Sequence, residues 1–328
     1  MKISQIGEFG LIEILKAGEK RLRPDTIVGI GDDCAVLKSP MSKVRSPKSN
    51  VQRPTSNLEL SNRSKTYLLI TTDTFIENVH FKLEKDRFSD VGYRAMAANI
   101  SDIAAMGGWP THALVTIGLP SKTTVAQVKQ LYRGINRLAA KHKIDIIGGD
   151  TISSPREVVI SITLLGEVEK DSLLLRSGAS KGDVICATGE FGGPAAEKFE
   201  VLGAKFKVRL KEARMIARSK TATAMIDSSD GLVRAVIEIC RASQVGARLF
   251  EEQVPIARGA NLDQALYGGE EYELVFTVPK KKTEKLRGLG FKVTMVGEIV
   301  SRSSGVKLVD RHGRMKALKS GGYEHFRK

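Results

Sequence analysis

The sequence predicts an α/β protein made of α+β layers in two domains. Three observations carry that expectation. Short β-branched apolar runs alternate with segments of helical period along the 328 residues. A stretch rich in charge, Ser and Gly at 169–182 separates two strand signals and puts a boundary near residue 168, giving domains 1–168 and 169–328. The composition, 41% hydrophobic and 27% charged, is that of an ordinary globular chain, and with only 5% aromatics the core must be filled by Ile, Leu, Val and Ala.

The strand signals are, in order, DTIVGI, TYLLITT, HALVTIGL, IDII, EVVISITLLGEV, DVICAT, GARLF, YELVFTV and FKVTMVGEI. Helical periods lie between several of them. Residues 91–108 read as a helix with Ser89 or Asp90 as cap and Gly107–Gly108 as stop. In 121–142, Val125, Val128, Leu131, Tyr132, Ile135, Leu138 and Ala139 recur at three- and four-residue spacing behind the capping residues 121–124. Residues 231–242 repeat the pattern with Leu232, Val236, Ile239 and Cys240, whereas the basic stretch 194–224 leaves its helical pattern open.

Several classes are excluded or disfavoured. No run approaches the roughly 20 apolar residues of a membrane span, and the N-terminus lacks a signal-peptide pattern, so a cytoplasmic protein without a membrane partner is expected. Cys34, Cys186 and Cys240 are far apart and odd in number, which argues against a disulfide framework or a zinc site. The net charge of +15 suits anionic partners. Residues 38–65, with seven Lys/Arg, one Glu, seven Ser and three Pro, read as a flexible basic insertion, and no aromatic interleaves the charges as a base-stacking surface would require. A solvated loop is the favoured reading and a nucleic-acid partner is not expected, with a phosphate- or nucleic-acid-binding arm, and so a basic nucleic-acid-binding protein, as the alternative.

The informative pattern is a set of apolar runs that end in Asp. IVGIGDDCAVL gives Asp32 and Asp33, YLLITTDTF gives Asp73, IDIIGGDT gives Asp150, and AMIDSSDGL gives Asp227 and Asp230. A fifth case lies in a helix: Asn99 and Asp102 share one face of an otherwise apolar segment, where an unpaired carboxylate costs several kcal/mol. Gly-Asp and Asp-Gly also make good turns, and Asp102 has Arg94 as a possible partner, so each site alone has two readings. Thr71, Thr72, Thr74, Thr151, Ser228 and Ser229 flank the aspartates, and carboxylates with hydroxyls are hard oxygen donors suited to Mg²⁺. Gly29, Gly31, Gly148 and Gly149 would let a phosphate approach the backbone, although no GxxxxGK[ST] occurs. The combination points to Mg-nucleotide chemistry. A phosphate acceptor, already ionised near neutral pH, would need no general base, in keeping with the lack of an obvious Ser-His-Asp or Cys-His arrangement.

GIGDDCAVL, TTDTFIENVHF, ANISDIAAMGG, IIGGDT, IDSSDGL and GGEEYELVF, in this order, resemble the motifs of the thiamine-monophosphate kinase family, within the aminoimidazole ribonucleotide synthetase superfamily. The resemblance runs from about residue 5 to GGYEHF at 321–326. It implies a two-domain fold whose N-terminal domain forms a β-barrel across a homodimer. It implies ATP and thiamine monophosphate as substrates and several Mg²⁺ ions. Asp33, Asp73, Asp102, Asp150, Asp227 and Asp230 correspond to the magnesium-binding aspartates, with Thr71 and Thr72 beside them. Tyr132, Gly149, Asp150, Arg176 and Ser229 correspond to nucleotide contacts, and His80, Glu270 and Tyr323 to the substrate side. Insertion 38–65 is longer and more basic than the connection usual in the family. A relative that matures hydrogenase would need a C-terminal Cys, and this chain ends YEHFRK.

Overall fold

The structure is a computed structural model that describes residues 3–18, 23–39, 66–196, 207–318, 321 and 325. Most of the basic insertion, 40–65, and the stretch 197–206 lie outside these residues. The chain opens with helix α1 (Ile3–Gly18), broken at Gly7, followed by strands β1 (Thr26–Val28), β2 (Ala35–Lys38) and β3 (Thr66–Ile76). Helix α2 (Phe88–Ala105), β4 (Trp109–Leu119), helix α3 (Val125–His142), β5 (Asp145–Ser153) and β6 (Val159–Glu169) complete a six-stranded sheet of order β1-β2-β3-β6-β4-β5. All its pairings are antiparallel except β4 with β5.

The second half contributes β7 (Asp183–Thr188), a single helical turn α4 (Gly193–Ala196), helix α5 (Leu210–Ser219), β8 (Ala224–Asp227), helix α6 (Leu232–Ser243), β9 (Gly246–Phe250) and helix α7 (Leu262–Tyr267). Strands β10 (Leu274–Pro279), β11 (Val293–Val300), β12 (Val306–Val309) and β13 (Met315–Ala317) follow. Its seven-stranded sheet has the order β13-β12-β9-β11-β7-β10-β8. The sequence reading did not single out β2, β8, β12 or β13, which are all three or four residues long.

Helix α2 is the joint of the molecule. All but three of its 18 residues are buried, because it packs on β3, β4 and β6 of the first sheet, on α3, and on α5 and β8 of the second half. One hydrophobic core therefore runs from Ile100, Ile103 and Ile162 into Ile216, Met225 and Phe276, while a second fills the opposite face of the second sheet under α6 and α7. Gly92 and Gly134 allow the close approach of α2 and α3, since a Cβ on Gly134 would run into the Ser89 carbonyl. The expected caps at Ser89 or Asp90 are replaced by Arg87, which makes no side-chain cap, whereas Thr124 forms a complete capping box with Gln127 at the start of α3. All three cysteines are buried and free. No helix among the described residues is long and apolar enough to cross a membrane.

The two halves are tied by Arg214 of α5. Its guanidinium donates to Glu169 at the end of β6 through two bonds of 2.7 Å, and to the Gly107 carbonyl after α2. The Arg214 hydrogen bonds hold the Glu169 carboxyl down at about 2. A depressed folded value means stability present above the unfolded carboxyl pKa, near 4.3, and lost as pH falls toward 2. Glu169→Gln is expected to lower stability by about 1 kcal/mol at pH 7, the half-exposed pair being screened. The gap from wild type in urea unfolding should close between pH 4 and pH 2, and a gap of constant size would refute the assignment.

Candidate active site

Four segments converge at one end of α2. The turn before β2 supplies Asp32 and Asp33, β3 supplies Thr71, Thr72 and Asp73, α2 supplies Asp102, and the end of β8 with its following turn supplies Asp227, Ser229 and Asp230. Asp33, Asp102 and Asp227 each present an oxygen such that all three lie within 4.8 Å of one another. Hydroxyls from the same elements hold two of them: Thr71 Oγ1 donates to Asp102 and Ser101 Oγ to Asp227, both at 2.5 Å. Arg176 binds Asp33 through Nε and Nη2, at 3.1 and 2.5 Å, while its backbone N–H donates to the Asp32 carboxylate. The Arg94 partner considered for Asp102 is engaged elsewhere, with Glu270.

Burial and mutual repulsion govern the electrostatics. Burial, then the neighbouring Asp33, raises Asp73 to about 6 and Asp227 to about 8. Burial, then Glu8, raises Asp230 to about 7. Asp102 rises well above the carboxylate range through burial and then Asp73, Asp227 and Asp33. The Oδ2 atom of Asp33 is buried with no hydrogen-bond partner. A buried set of carboxylates with a free oxygen fits a hard divalent cation, which removes both the desolvation cost and the repulsion.

Two clefts meet at this cluster. A larger one of 780 Å³ runs between α1, the Gly29–Gly31 turn and Arg176, with Asp33, Thr71 and Thr72 in its wall. A smaller one of 430 Å³ is lined by Phe75, Val79, His80, Glu270, Tyr272 and His325. Glu8, Asp73, Asp102, Ser229 and Asp230 line both. His80 accepts a hydrogen bond at Nδ1 from the Ile76 N–H, which leaves the proton on Nε2. Burial, then His325, lowers its pKa to about 4. At neutral pH His80 is therefore an uncharged donor.

Tyr132, Gly149 and Asp150 are not brought to the cluster within one chain. Tyr132 packs at the edge of the first core, on α3. Gly149 has φ +150°, and a Cβ there would strike the Val115 carbonyl on β4, so packing alone requires glycine. Asp150 is exposed on the edge strand β5, in register with Thr116, Ser161 and Thr74. Three strand spacings separate it from β3, about 14 Å. Tyr323 lies outside the described residues. The structure adds Glu8, Arg94, Ser101 and Tyr272, which sequence reasoning did not assign. Only Ser101, beside Asp102 on an apolar helix, carried a readable signal.

The chain matches the AIR synthase related protein family over both of its parts, the N-terminal domain at residues 31–168 and the C-terminal domain at 180–309. The thiamine-monophosphate kinase of Bacillus subtilis (strain 168) is 34% identical over 287 residues, covering 79% of this chain and 88% of that protein. The chain belongs to the thiamine-monophosphate kinase family. The member from Aquifex aeolicus (strain VF5) is 31% identical over 99% of this chain and its own full length. Among solved structures, AaThiL complexed with AMPPCP and TMP is 28% identical, with a TM-score of 0.79 and 99% of each chain covered.

The raised carboxyls make a testable signature. Groups whose folded pKa exceeds the unfolded value near 3.9 favour the fold when protonated, so their contribution declines as pH rises from about 4 to 8. Asp227→Asn should therefore be more stable than wild type in EDTA. The gap in unfolding free energy, read from urea denaturation, should widen over that range to at most a few kcal/mol at pH 8. Millimolar divalent cation should narrow it by stabilising wild type alone, and a pH-independent gap would count against the cluster.

Proposed function

We propose that the chain transfers the γ-phosphoryl group of ATP directly to the phosphate of thiamine monophosphate, giving ADP and thiamine diphosphate. The observation that carries this reading is the meeting of two clefts at one aspartate cluster. It is supported by the family and by the related AaThiL structure, which holds TMP together with AMPPCP, an ATP analogue. The larger cleft takes the nucleotide, with Arg176 and Ser229 as contacts. The smaller takes thiamine monophosphate, with the Nε2–H of His80 donating to phosphate and the Glu270 carboxylate facing the ring cation. Magnesium ions on Asp33, Asp73, Asp102, Asp227 and Asp230, with Thr71 and Thr72, would screen the charge between the two anions. The acceptor oxygen is already ionised, so the residues act by placing the two phosphates in line and excluding water. An ATP-consuming reaction of this kind fits the cytoplasm.

The same reading includes a homodimer whose first sheets close into a barrel. One face of the first sheet carries α2 and α3. Its other face presents Thr72, Thr74 and Leu114 to solvent, and the edge strand β5 exposes Ile147 and Ile152. An open edge with exposed apolar residues calls for a partner. A second copy would also give Gly149 and Asp150 a nucleotide to contact, since a single chain leaves them remote from the cluster.

Thiamine-monophosphate-dependent ADP formation by wild type tests the activity, and its absence with ATP and Mg²⁺ would refute it. Asp102→Asn is expected to lower kcat by 100-fold or more, on the order of a lost transition-state charge contact. Asp150→Asn mixed with Asp102→Asn tests the dimer: half the dimers are mixed and each has one intact site, so about a quarter of the activity should return. No recovery from mixed, refolded chains would place Asp150 in its own subunit's site or outside any site.

A further inference from the structure

Arg94 lies outside every role assigned so far, yet it is one of the most buried charges in the protein, 4% exposed on helix α2. It reaches across from the first half of the chain to the second, where Nη2 donates to the Glu270 carboxylate at 2.8 Å. The same nitrogen donates to the His80 backbone carbonyl at 3.0 Å. Nη1 lies 3.8 Å from Asp86, whose carboxylate in turn accepts the Lys82 N–H and closes the turn that follows His80. The guanidinium stands over the Phe75 ring, 5.9 Å from its centroid. Four residues that Arg94 touches or approaches belong to the wall of the smaller cleft or to the turn that carries it.

The carboxylate it holds cannot hold itself. Glu270 has φ +60° and Tyr272 φ +51°, two left-handed non-glycine residues in one short turn, and such conformations persist only where their surroundings impose them. The Glu270 N–H donates to the Ser229 carbonyl at 2.6 Å, which fixes the backbone but not the side chain. Among the described residues the Glu270 side chain has one recorded cationic partner, Arg94. Burial raises the Glu270 pKa, and the neighbouring guanidinium works against that rise.

We infer that Arg94 is a positioning residue for the acceptor substrate: it sets the Glu270 carboxylate and the His80 turn at one fixed separation across the smaller cleft, and so tunes affinity for a cationic-ring phosphate ester without touching the nucleotide. This rests on the smaller cleft being the thiamine monophosphate site. The assignment differs from a plain structural ion pair in what it moves. A fold-holding pair affects stability and both substrates alike, whereas a positioning residue acts through Glu270 on one substrate.

The test is a double-mutant cycle of Arg94→Met and Glu270→Gln, with KM measured separately for thiamine monophosphate and ATP. Arg94→Met should raise KM for thiamine monophosphate by about tenfold to a hundredfold, the range of a lost charge-assisted hydrogen bond. KM for ATP should stay within about twofold, since the nucleotide is bound elsewhere. In the Glu270→Gln background the same substitution should add little. Arg94→Lys, which keeps the charge and a donor, should recover part of the loss, and it carries the cycle if Arg94→Met does not fold. Additive effects, or equal rises in both KM values, would overturn the positioning role while leaving the kinase reading intact. A wild type without thiamine-monophosphate-dependent turnover would overturn both.

Discussion

The structure depends on one costly arrangement, a half-buried carboxylate, Asp102, carried to the meeting of two clefts on a helix that is otherwise almost wholly buried. Helix α2 packs on the first sheet, on α3 and on the second half of the chain. Because it is locked by both halves, Asp102 has one position relative to Asp33, ahead of β2, and Asp227, at the end of β8. Three carboxyls within 4.8 Å of one another do not arise by packing preference, since each costs several kcal/mol to bury ionised and burial pushes all three toward the protonated form. The hydroxyls of Thr71 and Ser101 and the guanidinium of Arg176 reduce that cost without removing it. A hard divalent cation held between the carboxylates would relieve the remainder.

The same joint places the two clefts side by side with a shared wall. Asp73, Asp102, Ser229 and Asp230 belong to both, so any ligand charge in one is felt in the other. Around this shared centre the two sides differ in chemistry. The larger cleft has a guanidinium, Arg176, pinned at its backbone by Asp32 and at its side chain by Asp33. The smaller has an uncharged imidazole donor, two aromatic rings and a carboxylate. A polyphosphate suits the first, and a singly phosphorylated ester with a cationic ring suits the second.

Much of this was legible in the sequence where the signal is local. Asp102 stood out because a carboxylate interrupts an apolar helix, and Thr124 because the residue three positions on completes its cap. The convergence of Asp33, Asp73 and Asp227 could be suspected from repetition of one pattern. Gly149 shows the opposite case: it was read for phosphate access, yet its φ and the Val115 carbonyl already require glycine. Arg94 and Glu270 are separated by 176 positions, and no periodicity links them. Short strands such as β8 were read only as apolar runs ending in Asp, since four residues carry no period of their own.

The left-handed turn at Glu270 connects these points. A backbone held against its preference at two non-glycine residues costs about 1–3 kcal/mol each. The protein recovers part of that through the buried pair with Arg94, which comes from the same helix that carries Asp102. Eight positions separate the two side chains along α2, about 12 Å of helix. One helix thus carries both a member of the aspartate cluster and the cation that holds Glu270 in the wall of the smaller cleft, so the spacing of these two features follows the rise of that helix.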